Sequence, residues 1–198
     1  MAVNTLFPLS RHATWWLTDL KGIEIGGAAH NQFGLDTINV DRLHHDDPEF
    51  APYASEQMRL VGEVMPVDVV APGNELPFED KSYDYVISSH VIEHFYDPIS
   101  ALKEWARVAK KYIYIICPKR DALPSDRDKP LTPLREHVAR HLEQNKLATD
   151  EHHSRWTPKT FVEMCEAFGF HVESALETDD KVGNGFTILI DVEKSEIE

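Results

Sequence analysis

Short apolar runs alternate in this chain with longer stretches whose apolar residues recur every three or four positions, a pattern of strands interleaved with amphipathic helices. Residues 22–27 (Gly-Ile-Glu-Ile-Gly-Gly) read as a first strand closing on glycines, and residues 37–41 (Thr-Ile-Asn-Val-Asp) as a second strand ending in an acid. Further strands are predicted at residues 67–70, at 83–89 (Tyr-Asp-Tyr-Val-Ile-Ser-Ser) and at 112–117, the last closed by Pro118. Asp97-Pro98 supplies an N-cap and a first-turn proline for a helix whose apolar face is Ile99, Leu102, Trp105, Ala106 and Val108. Thr157-Pro158 repeats the device ahead of Phe161, Met164, Cys165 and Phe168, and Gly169 stops that helix. Ser10 predicts a short helix through Leu20, with Trp15 and Trp16 as packing residues. Residues 46–57, with Pro48, Pro52 and several acids, read as a surface loop. The first crossover has room for about two helical turns, which Asn31 and Gly34 disfavour. Two final extended runs, 171–178 and 186–192, flank Asp-Asp-Lys-Val-Gly-Asn-Gly and form a hairpin. The expected fold is therefore α/β, a mostly parallel sheet with one antiparallel strand near its end.

Composition narrows the setting. With 198 residues, 42% hydrophobic and 27% charged, the chain suits a single domain, residues 1–198, with a substantial core. No apolar stretch approaches the ~20 residues of a membrane span, and the N-terminus lacks a basic-then-apolar leader, so a soluble, cytoplasmic protein without membrane partners is expected. A net charge of −14 repels polyanions and argues against nucleic acid. Cys117 and Cys165 lie in apolar runs without metal-type spacing and read as buried thiols of a reducing compartment.

The glycine turn and the acid of the next strand point to a nucleoside-containing cofactor, because glycine lets backbone approach a ligand and a carboxylate takes both ribose hydroxyls. A dinucleotide needs a third glycine to bring a helix N-terminus against its pyrophosphate, whereas the chain reads Gly26-Gly27-Ala28-Ala29-His30-Asn31. Glu24 instead offers a carboxylate near the strand end, which suits the ammonium and sulfonium of S-adenosylmethionine through Coulomb attraction. A simple tight turn accounts for the glycines equally well in isolation.

Three further segments carry a resemblance: Leu76-Pro77-Phe78, the run from Tyr83 to Ser89 followed by His90-Val91-Ile92-Glu93-His94, and the helix Ala101-Leu102-Lys103-Glu104-Trp105-Ala106-Arg107-Val108. Together with the glycine turn they resemble the class I S-adenosylmethionine-dependent methyltransferases, particularly the small-molecule type, over residues 22–118. The resemblance implies a Rossmann-like, seven-stranded sheet with helices on both faces and a C-terminal antiparallel hairpin. It also implies that Glu24, Gly26 and Gly27 contact the amino-acid part of the cofactor and Asp41 its ribose. Residues from Asp68 to Leu76 would flank the adenine, while Ser89 and His90 would border the transferred methyl.

Histidine, at 11 residues, is over-represented and clusters. His90-Val91-Ile92-Glu93-His94 fits His-x-x-Glu-His, an inverted zinc-protease signature with two histidines on one helix face, but it stands where the methyltransferase pattern has its own Glu-His. Residues 119–156 occupy the place of a substrate lid and hold His137, His141, His152 and His153, with Thr132-Pro133 opening a helix whose Leu134, Val138 and Leu142 form an apolar stripe. On that helix His137 and His141 share a face beside the stripe. Three uses compete: a solvated lid, an acceptor pocket with a general base among His90, His137, His152 and His153, or a metal held by His137, His141 and one of His152 and His153. Arg120, Arg127 and Arg135 are candidates to hold an acceptor anion or, alternatively, surface ion pairs. The expected function is methyl transfer to a hydroxyl or amine of a small molecule, such as a sugar or natural-product intermediate, without an assigned metal. A nicotinamide-dependent oxidoreductase and a non-catalytic cofactor-binding protein are the alternatives.

Overall fold

The computed structural model describes residues 7–27 and 33–197. Seven strands, β1 (Lys21–Ile25), β2 (Asp36–Asp41), β3 (Val69–Val70), β4 (Tyr83–Ser89), β5 (Ala109–Pro118), β6 (His171–Leu176) and β7 (Gly185–Asp191), form one sheet in the order β3-β2-β1-β4-β5-β7-β6. Only β7 runs antiparallel, pairing that way with both β5 and β6, as the terminal hairpin predicts. The central strands are buried along nearly their whole length because both faces are covered.

One face carries α3 (Pro98–Val108) and α5 (Pro158–Ala167), whose Trp105, Leu102, Phe161 and Met164 pack on Ile23, Val86, Ile113 and Ile188. The other face holds α1 (Arg11–Leu17), which sets Ala13 and Leu17 against Tyr85, Ile87, Tyr114 and Leu189. Asp97 and Thr157 cap α3 and α5 as their sequences predict, Asp97 Oδ1 accepting from the Ile99 and Ser100 N–H groups at 3.1 Å and Thr157 completing a reciprocal pair with Thr160. Ser10 Oγ caps α1 by accepting from the Ala13 N–H at 2.9 Å. This helix ends at Leu17 rather than Leu20, since Asp19 turns the chain at φ 65°.

Residues 46–57 are not a loop. Asp47 accepts from the Glu49 N–H at 2.8 Å and opens a 3₁₀ turn, Pro48–Phe50, that runs into α2 (Ala51–Leu60). Pro48 and Pro52 each occupy a first turn, where the missing N–H has no helical partner to lose. The proposed shortness of the first crossover falls on residues 28–32, outside the described residues.

Trp105 Nε1 donates to the Gly73 carbonyl at 2.7 Å. Glu104 Oε1 accepts from the Leu76 N–H at 2.7 Å, and the Arg107 guanidinium donates to the Leu76 and Phe78 carbonyls and to Asp80. The Leu-Pro-Phe segment is thus pinned by the helix carrying the Arg-Val pair, so two motifs distant in sequence are one structural unit.

Candidate functional site

Register brings the site together. Val40, Ile25, Ser88 and Ile115 form one row across β2, β1, β4 and β5, so Asp41, Gly26 and Ser89 stand side by side one step further on, at the carboxyl edge. Strand order reverses between β1 and β4, and the crevice outside such a reversal is where open α/β sheets bind ligands. Gly26 adopts φ 67°, and a Cβ there would lie 2.8 Å from Val91 Cγ2. Gly27 is clasped by Asn39, which accepts from its N–H at 2.9 Å and donates to its carbonyl at 3.0 Å; a Cβ on Gly27 would run into the Asn39 amide. Sequence reasoning missed Asn39, whose only signal was a polar residue inside an apolar strand.

Glu24 is buried, and its Oε1 has no hydrogen-bond partner. Burial pushes its carboxyl up to about 8, against the pull of Lys181, whose ammonium is itself brought down to about 8 by burial. Lys181, from the turn between β6 and β7, lies with Nζ 4.4 Å from the centroid of the Phe33 ring. Nothing in the hairpin sequence marked it as a partner of this edge. Ser89 Oγ is also buried without a partner. Asp41 has its Oδ1 accepting from the Leu43 N–H at 3.2 Å, and burial raises its carboxyl.

Asp68 is not brought to this edge. It precedes β3 at the level of Asn39, and its Oδ2 accepts from the Asn39 N–H at 2.8 Å. Leu76 is buried in the main core cluster.

The histidines separate. His90 closes β4 at φ 56°, its N–H donating to the Ile116 carbonyl at 2.8 Å, and a 3₁₀ turn follows at Ile92–His94. No helix therefore carries His90 and His94, and the inverted zinc-protease geometry is absent there. In α4 (Leu134–Glu143) His137 is buried, with Nε2 accepting from Trp156 Nε1 at 2.9 Å. Burial and the nearby Arg140 push its pKa down to about 4. His141 Nδ1 lies 2.9 Å from Asp97 Oδ2. The stripe of Leu134, Val138 and Leu142 faces outward rather than covering a pocket, so α4 docks by its histidine face, and the metal set of His137, His141 and a third histidine is not assembled.

His152 and His153 do approach the β4 end. The His153 and Ser154 N–H groups donate to the Glu93 carbonyl at 2.8 and 3.3 Å, and the Thr149 N–H donates to the His94 carbonyl at 3.2 Å. His153 Nε2 lies 2.9 Å from Thr149 Oγ1, and burial lowers its pKa. His152 Nδ1 is in close contact with Asp126 Oδ2. Glu93 is fully buried, neither carboxylate oxygen has a hydrogen-bond partner, and burial pushes the acid up to about 8. Burial, with His152 adding to it, holds the neighbouring His94 down at about 4.

The strand order, the glycine turn at the reversal and the acid ending β2 make a candidate nucleoside-binding crevice on a Rossmann-like sheet. Known proteins share this architecture. Residues 31–117 match the family model described as a methyltransferase domain. A protein of Mycobacterium tuberculosis named "Probable S-adenosylmethionine-dependent methyltransferase" is 27% identical, over 76% of this chain and 53% of its own length; the chain spans about half the length of such curated relatives. Among solved structures, an S-adenosylmethionine-dependent methyltransferase from Methanosarcina mazei has a TM-score of 0.55 at 19% identity, covering 92% of this chain and 97% of that one. One from Thermotoga maritima, titled as a possible histamine N-methyltransferase, has a TM-score of 0.54 at 20% identity, over 90% and 85%. Residues 31–117 are thus similar to a methyltransferase domain, and the fold is the one shared by these solved S-adenosylmethionine-dependent methyltransferases.

Proposed function

We propose that this chain transfers a methyl group from S-adenosylmethionine to a hydroxyl or amine of a small-molecule acceptor, such as a sugar or natural-product intermediate, in the cytoplasm. The observation that carries the reading is the pair of buried oxygens without partners, Glu24 Oε1 and Ser89 Oγ, on strands flanking the reversal beside the Gly26 turn. An unpaired buried polar atom costs ~1 to 3 kcal/mol, so a polar ligand at this edge recovers stability the empty fold forgoes. When bound, the cofactor supplies a methyl already activated on a sulfonium.

The chain's residues then hold and align. Glu24, Gly26 and Gly27 take the amino-acid end and Asp41 the ribose; Leu76 lies on the adenine side, where Asp68 acts by fixing β2 to β3. Holding the acceptor in line and excluding water contributes ~7 to 11 kcal/mol of barrier reduction. Of the four candidate histidines we assign the general base to His90, one residue beyond Ser89. His152 and His153 belong to the facing wall, and His137 serves Trp156. Residues 119–156 are the acceptor lid of the single domain. Its second half is docked, Thr132 and Arg155 exchanging hydrogen bonds at 2.9 and 3.1 Å. The charge of −14 favours a small acceptor over a polyanion. The buried free thiols Cys117 and Cys165 suit a reducing compartment, and no helix among the described residues is long and apolar enough to cross a membrane.

The test is calorimetry with S-adenosylhomocysteine and with a nicotinamide dinucleotide, followed by transfer of labelled methyl to a panel of hydroxyl and amine acceptors. The expected result is binding of the first ligand alone, with His90→Ala retaining it while losing ~100-fold or more in turnover. Dinucleotide binding, or binding without transfer to any acceptor, selects one of the two alternatives.

A further inference from the structure

Glu93, His94 and His152 each offer one donor atom, and the three atoms lie within 4.8 Å of one another. Glu93 Oε1 stands 3.8 Å from His94 Nε2 and 3.7 Å from His152 Nε2. Those gaps are too wide for hydrogen bonds, yet close to the edge of about 3.4 Å that ligands at 2.0–2.2 Å make around a tetrahedral ion. A contraction of a few tenths of an ångström would close the set.

The arrangement is built rather than incidental. Residues 93–96 and 147–154 are stitched by backbone bonds from Tyr96 to Leu147, Thr149 to His94 and His153 to Glu93, at 2.9, 3.2 and 2.8 Å, with Phe95 and Ala148 bridged between them. Asp126, buried and fixed also by Arg155 at 3.3 Å, holds the other nitrogen of His152. A carboxylate behind a histidine is the usual support for a metal-bound imidazole, fixing its tautomer and raising its basicity. His152 and Asp126 also line an open pocket of about 340 Å³ with Leu123, Ser125, Lys129 and Glu151, so the His152 side of the cluster borders an open recess.

We propose that Glu93, His94 and His152 form a binding site for a divalent first-row transition cation, with Asp126 as its positioning residue. Two imidazoles and one carboxylate select such an ion over magnesium or calcium, which take oxygen ligands. The proposal does not rest on methyl transfer, and its test needs no acceptor.

The full chain, stripped of metal, would be titrated calorimetrically with Zn²⁺. One ion per chain is expected, with affinity falling at least ~100-fold in His94→Ala and in His152→Ala. Asp126→Asn should lose ~10- to 100-fold with an unchanged melting temperature of the metal-free protein, a split that a purely structural role would not produce. His44→Ala is the control, because His44, His45 and Asp46 form another trio able to hold an ion; it should bind as the wild type does. Absence of binding to the wild type, undiminished binding in both histidine variants, or loss of binding in His44→Ala overturns the proposal. Should the variants fail to fold, anomalous scattering from zinc-soaked wild-type crystals decides: an ion among the three side chains supports the site, and an ion elsewhere or none overturns it. Retention of S-adenosylhomocysteine binding by the metal-free protein, also expected, separates this site from the cofactor edge.

Discussion

Two buried carboxylates flank the same strand reversal, and they differ in what stands opposite them. Glu24, in β1, and Glu93, just past β4, are both pushed up to about 8 by burial. Glu24 has Lys181 as a countercharge from a distant turn, while Glu93 has Asp126 as a second acid and only imidazoles close to its oxygens. Removing a charge from water costs several kcal/mol unless it is paired. The first acid faces a countercharge and keeps one oxygen for a ligand; the second has no hydrogen-bond partner on either oxygen among the described residues. That contrast explains why one edge suits an organic cofactor that comes and goes, and the other a resident cation.

The largest expected effect separates the two acids by pH. A folded pKa raised from 4.5 to about 8 means that stability is full below 4.5 and is lost as pH rises through 8, in each case. Lys181 has the opposite sign: its folded pKa falls from 10.5 to about 8, so its contribution is present above 10.5 and lost as pH falls through 8. The metal-free protein should therefore lose on the order of several kcal/mol between pH 4.5 and 8, then recover part of it towards pH 10.5. Denaturant melts of Glu93→Gln should show a shallower loss with the recovery intact, whereas Lys181→Met should abolish the recovery. A wild-type profile flat from 4.5 to 8 would dissolve the comparison.

Next in size is the glycine turn. Gly27→Ala drives a methyl into the Asn39 amide that clasps this residue, so unfolding free energy should fall by ~1 to 3 kcal/mol and S-adenosylhomocysteine binding should weaken with it. Gly183→Ala is the contrasting case: its φ of 84° is left-handed and a Cβ there meets nothing within 4 Å, so its cost is backbone strain without a clash. An unchanged urea melt for Gly27→Ala would show that the Asn39 clasp gives way without cost.

How far the sequence disclosed this contrast depends on the range of the interactions. The strands, the capped α3 and α5 and the hairpin were legible because period, caps and turns are local signals. Helix α2 was missed because Pro48 and Pro52 read as breakers, when first-turn positions make them starters. At the site, Glu24, Gly26 and Asp41 were visible at or near strand ends, and the register of Val40, Ile25 and Ser88 brings the ends of β2, β1 and β4 alongside one another. Lys181 and Asn39 were not visible, since their roles arise from pairings between segments far apart in the chain. The histidines show the limit most clearly. Spacing placed His137 and His141 on one face correctly, but no sequence signal said that this face, and not the leucine stripe, would turn inward towards Trp156 and Asp97.

A smaller effect tests the cofactor side alone. Asp41→Ala removes a carboxylate from the end of β2 and with it the two charge-assisted hydrogen bonds proposed to the ribose, so affinity for S-adenosylhomocysteine should drop at least ~10-fold. The melting temperature without ligand should hold, because the hydrogen bonds Asp41 accepts among the described residues are local, from the backbone N–H groups of Arg42 and Leu43. Zinc affinity should be unaffected, which keeps the two acidic sites distinct; unchanged cofactor affinity in the folded variant would remove Asp41 from the site.

The smallest effect lies where the two regions meet. Arg42, next to Asp41, donates to Asp150 Oδ1 at 2.8 Å, and the Tyr53 hydroxyl reaches the same oxygen at 2.6 Å. The contact ties the cofactor edge to the segment carrying His152. Both charged side chains are largely exposed, 47% and 73%, so the pair is screened by solvent and contributes ~0.2 to 1 kcal/mol at most. Asp150→Asn should leave the global melt nearly unchanged. Its consequence is local: with the latch weakened, limited proteolysis within residues 119–156 should accelerate by a few fold, and S-adenosylhomocysteine should slow it less than in the wild type, because the contact joins the neighbour of Asp41 to that segment. Raising the salt concentration should bring wild type and variant together, since the attraction is screened over about 10 Å at 0.1 M. Equal cleavage rates in the two proteins at low salt would mean that the backbone bonds at residues 93–96 and 147–154 alone hold the regions together, and that the surface pair carries no message between them.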